Sequence, residues 1–452
     1  MKQAVSFTEG PVGRQLYRMA MPMVWGLLAT MSFNAVDTFF VAQLGGDQLA
    51  AMSFTFPVVM VVASMAIGLG AGTSSVIARL LGQGQNSEAK QLASDTLLLS
   101  LGLSAVMMVL GWVTIEPLFL LLGAEPHLLP MITEYMSIWY LNTPFVIAPM
   151  VMSAMMRATG NNGVAGGLML GGAVLNAILD PLLIFGWGWI PRMEIAGAAW
   201  ATFFTRLVMV GLSFYFVAYR LKLMSWPHRH LEGLMASWRS VMHIGVPAMA
   251  TNMIVPLASG ITVALVAAHG IDAVAGFGVA MRIEPVVLIV FYATSGVIGP
   301  FLGQNMASEY HHRQDQVLSV VLKFCLYFGV AVALFLWVVG PTVVGWFSDS
   351  EEVISIAVAY LAIAPISYGL YGVVMSVNAS FNGLGHPMPA MVVSILRVLA
   401  LYLPLAFMGQ WLWGVNGLFI ATAVANVMTG LFGYWWLRRY LAATQRRASS
   451  AS

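Results

Sequence analysis

Long apolar runs, broken by short clusters of Gly, Pro and polar residues, fill the chain from residue 16 to residue 437. Each is close to or above the roughly 20 residues that cross a hydrocarbon core as a helix. The pattern predicts twelve spans, near 16–42, 51–79, 93–115, 130–157, 163–187, 197–219, 242–266, 276–304, 318–340, 353–380, 390–408 and 414–437. An even number of spans puts both termini on one side. That side would carry Lys2, Arg14, Arg18, Arg79, Lys90, Arg157, Arg220, Lys222, Arg229, Arg239, Arg313, Lys323, Arg438, Arg439, Arg446 and Arg447, and the other side only Arg192. Sixteen cations against one predict cytoplasmic termini.

The chain also repeats itself. At an offset of 225, Pro22, Gly45, Asp47 and Ala50 fall on Pro247, Gly270, Asp272 and Ala275. At 221, Ser74, Val76, Ile77, Leu81, Gly82 and Gln83 fall on Ser295, Val297, Ile298, Leu302, Gly303 and Gln304. Six spans per copy give both copies the same orientation, so the expected fold is all-α. It has twelve transmembrane helices in two six-helix lobes, related by a pseudo-two-fold axis along the membrane normal. The expected division is an amino-terminal lobe at 1–220, a basic cytoplasmic linker at 221–241 and a carboxy-terminal lobe at 242–452.

Composition narrows the function. Of 452 residues 60% are apolar and 8% charged, against roughly 25% charged in a soluble domain, so no separate soluble domain is expected. Binding must occur at bilayer depth. A net charge of +2 offers no footprint for nucleic acid. The single cysteine, Cys325, excludes a disulfide framework and reads as core packing. Met1 to Arg14 lacks a cleavage pattern, so no removal is expected. The histidines fall in loops or at span ends, and no metal-ligand or catalytic cluster stands within a span. Neither enzyme chemistry nor a resident cofactor or metal is expected. Filter-like loops or charged rings of a channel are equally absent from the pattern.

The informative residues are acids within spans. Asp37, Asp180 and Glu284 stand deepest, and a central carboxylate costs on the order of 2.5 to 3.5 kcal/mol to insert. Asp37, Asp180 and Thr202 each lie roughly 8 to 10 Å below the outer surface, in one layer of the first lobe. Asn34 precedes Asp37 by three residues and Asn176 precedes Asp180 by four, so each amide shares its acid's helix face. Interhelical hydrogen bonding accounts for amides and threonines, whereas two carboxylates in one layer go beyond what such glue requires. Desolvation and like charge both favour the neutral form of a carboxylate, the condition that proton coupling needs. Arg206, one turn from Thr202, is the alternative partner that would make Asp180 structural. Arg282 and Glu284 form a second candidate set, although residues two apart do not face each other. Pro22 interrupts the first helix and is the candidate hinge. Among 31 methionines, Met169 stands for a surface suited to varied apolar ligands, with core filling as the alternative.

Pro22 followed by Asp37, the runs VIARLLGQGQ and VIGPFLGQNM, RATGNN and NAILDP form an ordered set over nearly the whole chain. On these motifs the chain resembles the multidrug and toxic compound extrusion (MATE) family, closest to its DinF-type branch. The resemblance implies a cation-coupling site at Asp37, Asn176, Asp180 and Thr202. Phe33, Asn34, Ser153, Met169 and Arg206 are the candidate substrate-binding residues, with Phe33 and Ser153 replacing an aromatic hydroxyl and an amide of some members. The NorM-type branch places acids in helices 7 and 10. No acid stands between Val353 and Phe381, so a second-lobe sodium site of that kind is not expected.

The expected function is multidrug efflux by alternating access, exchanging protons for cationic or amphipathic organic compounds in the bacterial inner membrane, as a monomer. Sodium coupling and a lipid-linked substrate flippase of the same superfamily are the alternatives.

Overall fold

The computed structural model describes residues 7–188, 190–228, 230–306 and 311–451. Lys2, Arg229 and the side chain of Arg447, three of the cations assigned to the cytoplasmic side, lie outside the described residues. The described residues form α1 (Val12–Ala42), α2 (Gly46–Gly82), α3 (Asn86–Leu121), α4 (Leu129–Leu141), α5 (Thr143–Ala158), α6 (Asn162–Phe185) and α7 (Glu194–Tyr215). These are followed by α8 (Leu231–Ala267), α9 (Ile271–Gln304), α10 (His311–Gly345), α11 (Glu351–Ile363), α12 (Tyr368–Gly383), α13 (Pro387–Ile395), α14 (Leu403–Trp413) and α15 (Val415–Ala451). Eleven helical stretches among them are long and apolar enough to cross a membrane. The pair α4 and α5, bent by 43° at Asn142, makes the twelfth.

The bend has a local cause. Pro144 cannot donate to the carbonyl four residues back, so the α-helical ladder is broken where α5 begins. Its counterpart Pro365 stands in the 3₁₀ turn Ala364–Ser367 between α11 and α12. The repeat is equally visible in contacts. Trp112 Nε1 donates to the carbonyl of Ser137 at 2.9 Å, and Trp337 Nε1 to that of Ala362 at 2.9 Å, the same bond 225 residues on. Gly160 and Gly385, another matched pair, hold φ of 80° and 82°, a left-handed turn that glycine adopts without strain.

Several helices outrun their expected ends. α3 begins at Asn86 and α8 at Leu231, ten residues into the segment expected as linker. The reason is burial: Leu234, Ser237 and Val241 are buried at helical spacing, so the helix continues beyond its apolar run. The remainder of that segment is tied to α3. Asp95, fully buried, accepts from the backbone N–H of His228 at 2.9 Å and from Ser237 Oγ at 2.7 Å, and its Oδ2 lies 2.6 Å from His228 Nδ1.

Compactness divides the chain at different points from the sequence repeat. One unit is Met21–Met249 and the other combines Phe7–Ala20 with the chain from Ala250 onward. Within the first, α2 and α8 touch backbone to backbone at Gly72, where a Cβ would stand 2.3 Å from the carbonyl oxygen of Val241. Small residues of this kind bring membrane helices close without a hydrophobic driving force between them. Within the second, Phe277, Tyr360 and Phe419 pack as a ring cluster with centroids 5.0 to 6.2 Å apart. Arg313 there binds the carbonyls of Phe7 and Gly10 and Gln15 Oε1, each at 2.9 Å, and its Nε donates to Asn305 Oδ1 at 3.2 Å. Phe7 stacks on Phe301 at 5.8 Å and is fully buried, so the start of α1 is seated in this unit.

Candidate functional site

In the first unit α1 and α6 lie against each other at two points. Near their cytoplasmic ends, a Cβ on Gly166 would stand 2.2 Å from the carbonyl oxygen of Pro22, and one on Gly26 would stand 2.9 Å from the carbonyl oxygen of Gly166. Toward the other end, Phe40 and Phe185 meet edge to face at 6.1 Å. Asp37 stands 15 residues past Pro22 and Asp180 14 past Gly166. At about 1.5 Å per residue both carboxylates rise about 21 to 23 Å from the lower contact, which puts them at one level. Asp37 is 7% exposed and Asp180 0%.

Their surroundings are sparse in donors. Asn176 Nδ2 donates to Asp180 Oδ1 at 2.8 Å, the bond expected from a four-residue spacing. Asp37 Oδ1 and Asp180 Oδ2 are buried and have no hydrogen-bond partner among the described residues. No ion pair within 4.0 Å joins Arg206 to either acid among those residues, and Arg206 Nε is itself buried without a partner. Arg206 is therefore a neighbour of the acids and not a permanent counter-ion. Both acids and Arg206 lie within electrostatic reach of Tyr135 on α4. The sequence reading missed Tyr135, because a tyrosine near the end of a span is an ordinary interfacial residue. Thr205 Oγ1, one residue before Arg206, is also buried and unpartnered.

Other expected residues are placed differently. Thr202 is buried on α7, one turn from Arg206. Ser153 accepts from Arg157 at 2.9 Å. Phe33 is half-buried, Asn34 is exposed, and Met169 packs on Gly26. Pro22 lies within a continuous α1, so this conformer holds the helix through its proline. In the second unit Arg282 is exposed, while Glu284 lines a cavity. Tyr360 and Tyr368 both donate to Glu284 Oε2, the second at 3.1 Å, and the cation within its electrostatic reach is Arg397.

The contact at Gly166 makes a direct prediction. Gly166→Ala forces a methyl into the Pro22 carbonyl and should cost about 1 to 3 kcal/mol, read as a lower melting temperature in detergent. Gly167→Ala, whose Cβ meets nothing within 4 Å, should be neutral or slightly stabilising. Equal melting temperatures for both variants would contradict the close packing of α1 on α6.

Comparison with known proteins agrees with the architecture. The MatE family model matches residues 22–182 and 247–408. A Shewanella oneidensis protein named FAD transporter is 38% identical over 439 residues, 97% of either chain. The multidrug export protein MepA of Staphylococcus aureus is 24% identical over 436 residues, 95% of this chain and 94% of its own. A crystal structure of the Vibrio cholerae MATE transporter VcmN in the bent form superposes with a TM-score of 0.90 at 31% identity, covering 96% of this chain and 97% of the other. With both copies of its internal repeat inside the family match, and with a helical architecture shared with a solved member, the chain belongs to the multidrug and toxic compound extrusion family of multi-pass membrane transporters.

Proposed function

We propose that the protein is an export antiporter that exchanges protons for cationic or amphipathic organic compounds, with Asp37, Asn176, Asp180 and Thr202 as the DinF-type coupling site. The observation that carries this reading is the pair of buried carboxylates at one level in the first unit, each with an unpartnered oxygen. An unpaired, desolvated carboxylate is expensive as an anion, so it takes up either a proton or a cationic ligand. Coupling follows from competition between the two. In the outward-facing state a proton neutralises Asp37 or Asp180, the packing of α1 around Pro22 changes, and affinity for the compound falls. The carrier then resets toward the cytoplasm, where both termini lie in this reading, in the bacterial inner membrane. Reciprocity requires that the compound lower proton affinity by the same factor.

A second reading of the cargo is a flavin dinucleotide, favoured by the 38% identity to the Shewanella oneidensis FAD transporter. Vesicles holding purified protein separate the coupling ions. An inward proton gradient at constant sodium should drive uptake of a cationic dye in inverted vesicles, while a sodium gradient at constant pH should leave it at background. Sodium-driven uptake alone would replace the proton by sodium in this scheme.

A further inference from the structure

The second unit holds a cavity of about 90 Å³, room for several waters or for one polyatomic anion. Its aromatic lining is Phe277, Tyr360, Tyr371 and Tyr402. Its single cation is Arg397, carried on the π-helical stretch Leu396–Tyr402, a local widening of the helix of the kind often found at functional sites. The guanidinium lies over the ring of Tyr371 at 4.7 Å. Its hydrogen bond among the described residues is from Nη1 to Asn426 Oδ1 at 3.2 Å, and Asn426 is itself fixed by Ser367 at 3.1 Å. A guanidinium has five N–H donors, so most of this one's capacity is left for whatever enters the cavity.

Glu284, the acid in the lining, is differently placed. Two tyrosine hydroxyls already donate to its Oε2, and no ion pair within 4.0 Å joins it to Arg397 among the described residues. It tempers the field at Arg397 without filling the donor fork. The cavity therefore presents a positioned, ring-backed fork, the arrangement that recognises planar or tetrahedral oxyanions in two-point fashion.

We propose that this cavity is an anion subsite in which Arg397, backed by Tyr371, takes a phosphate or carboxylate group carried by an aromatic organic compound. It is separate from the coupling acids of the first unit and stands or falls independently of them. A structural role for Arg397 explains its bond to Asn426 but not the remaining donors facing open space.

The test uses two probes that share one ring system, riboflavin and its phosphate ester FMN, titrated by flavin fluorescence against the purified full chain. Wild type should bind FMN roughly tenfold more tightly than riboflavin. Arg397→Gln should bring FMN down to the riboflavin level and leave riboflavin unchanged. Arg397→Lys, which keeps the charge and loses the fork, should retain part of the preference. Glu284→Gln, which removes the competing charge, should strengthen FMN binding several-fold and carries the test if Arg397→Gln does not fold. Inorganic phosphate should displace FMN weakly, since it lacks the ring; displacement as strong as that by FMN itself would identify a free-phosphate site and overturn the organic assignment. Equal binding of FMN and riboflavin by wild type, or an FMN preference that survives Arg397→Gln, would overturn the subsite.

Discussion

Asp37→Asn should abolish proton-driven export, lowering dye efflux at least about tenfold, while leaving a folded protein in the membrane. Asparagine keeps the shape of the protonated acid. Because Asp37 Oδ1 has no partner in the fold, no hydrogen bond to that oxygen is lost when the charge goes. Folding should improve slightly or stay level, since a desolvated anion is removed. What disappears is the change of charge that makes affinity depend on pH. The variant should bind cations weakly throughout the range from about pH 6 to about pH 8, as the protonated carrier does. Asp180→Asn should behave alike, since the two acids act on one another and titrate as one site. Dye efflux from vesicles and ligand binding across that pH range, beside a thermal melt, make the measurement. Wild-type efflux by Asp37→Asn would refute this role.

Arg313→Ala should have the largest effect on stability. Removing the side chain leaves the Phe7 and Gly10 carbonyls, Gln15 Oε1 and Asn305 Oδ1 without their donor. At about 1 to 3 kcal/mol for a buried acceptor left unpaired, a total loss on the order of 3 kcal/mol is expected after local relaxation. It should appear as a lower melting temperature and as faster proteolysis near Phe7. Arg313→Lys should recover less than half, because an ammonium cannot reproduce the fork. An unchanged melt and protease pattern would show that the start of α1 is held by Phe7 stacking alone.

Much of this was legible in the sequence for one physical reason: polar groups in hydrocarbon are costly, so those that remain are informative. Asp37, Asn176 and Asp180 stood out against apolar runs, and the helical spacing of the last two gave their hydrogen bond. The repeat was legible because glycines at left-handed turns and prolines at helix breaks are set by backbone geometry, as Gly160 and Gly385 illustrate. Pairings between distant segments were not. Glu284 and Arg397 are 113 residues apart, and spacing suggested the adjacent Arg282 instead. Tyr135 and Arg313 carry their roles through partners on other elements, which periodicity does not reveal. The helical start of α8 was hidden because its first ten residues are amphipathic, not apolar.

Competition between a proton and a cationic compound at Asp37 and Asp180 is most directly tested by proton release. Purified protein in weakly buffered detergent solution is mixed with a cationic dye, and the pH is followed with an indicator. Wild type should release protons in step with dye binding, approaching one per dye bound, and Asp37→Asn/Asp180→Asn should release none. Dye binding by wild type at full occupancy with no proton release would contradict the coupling scheme.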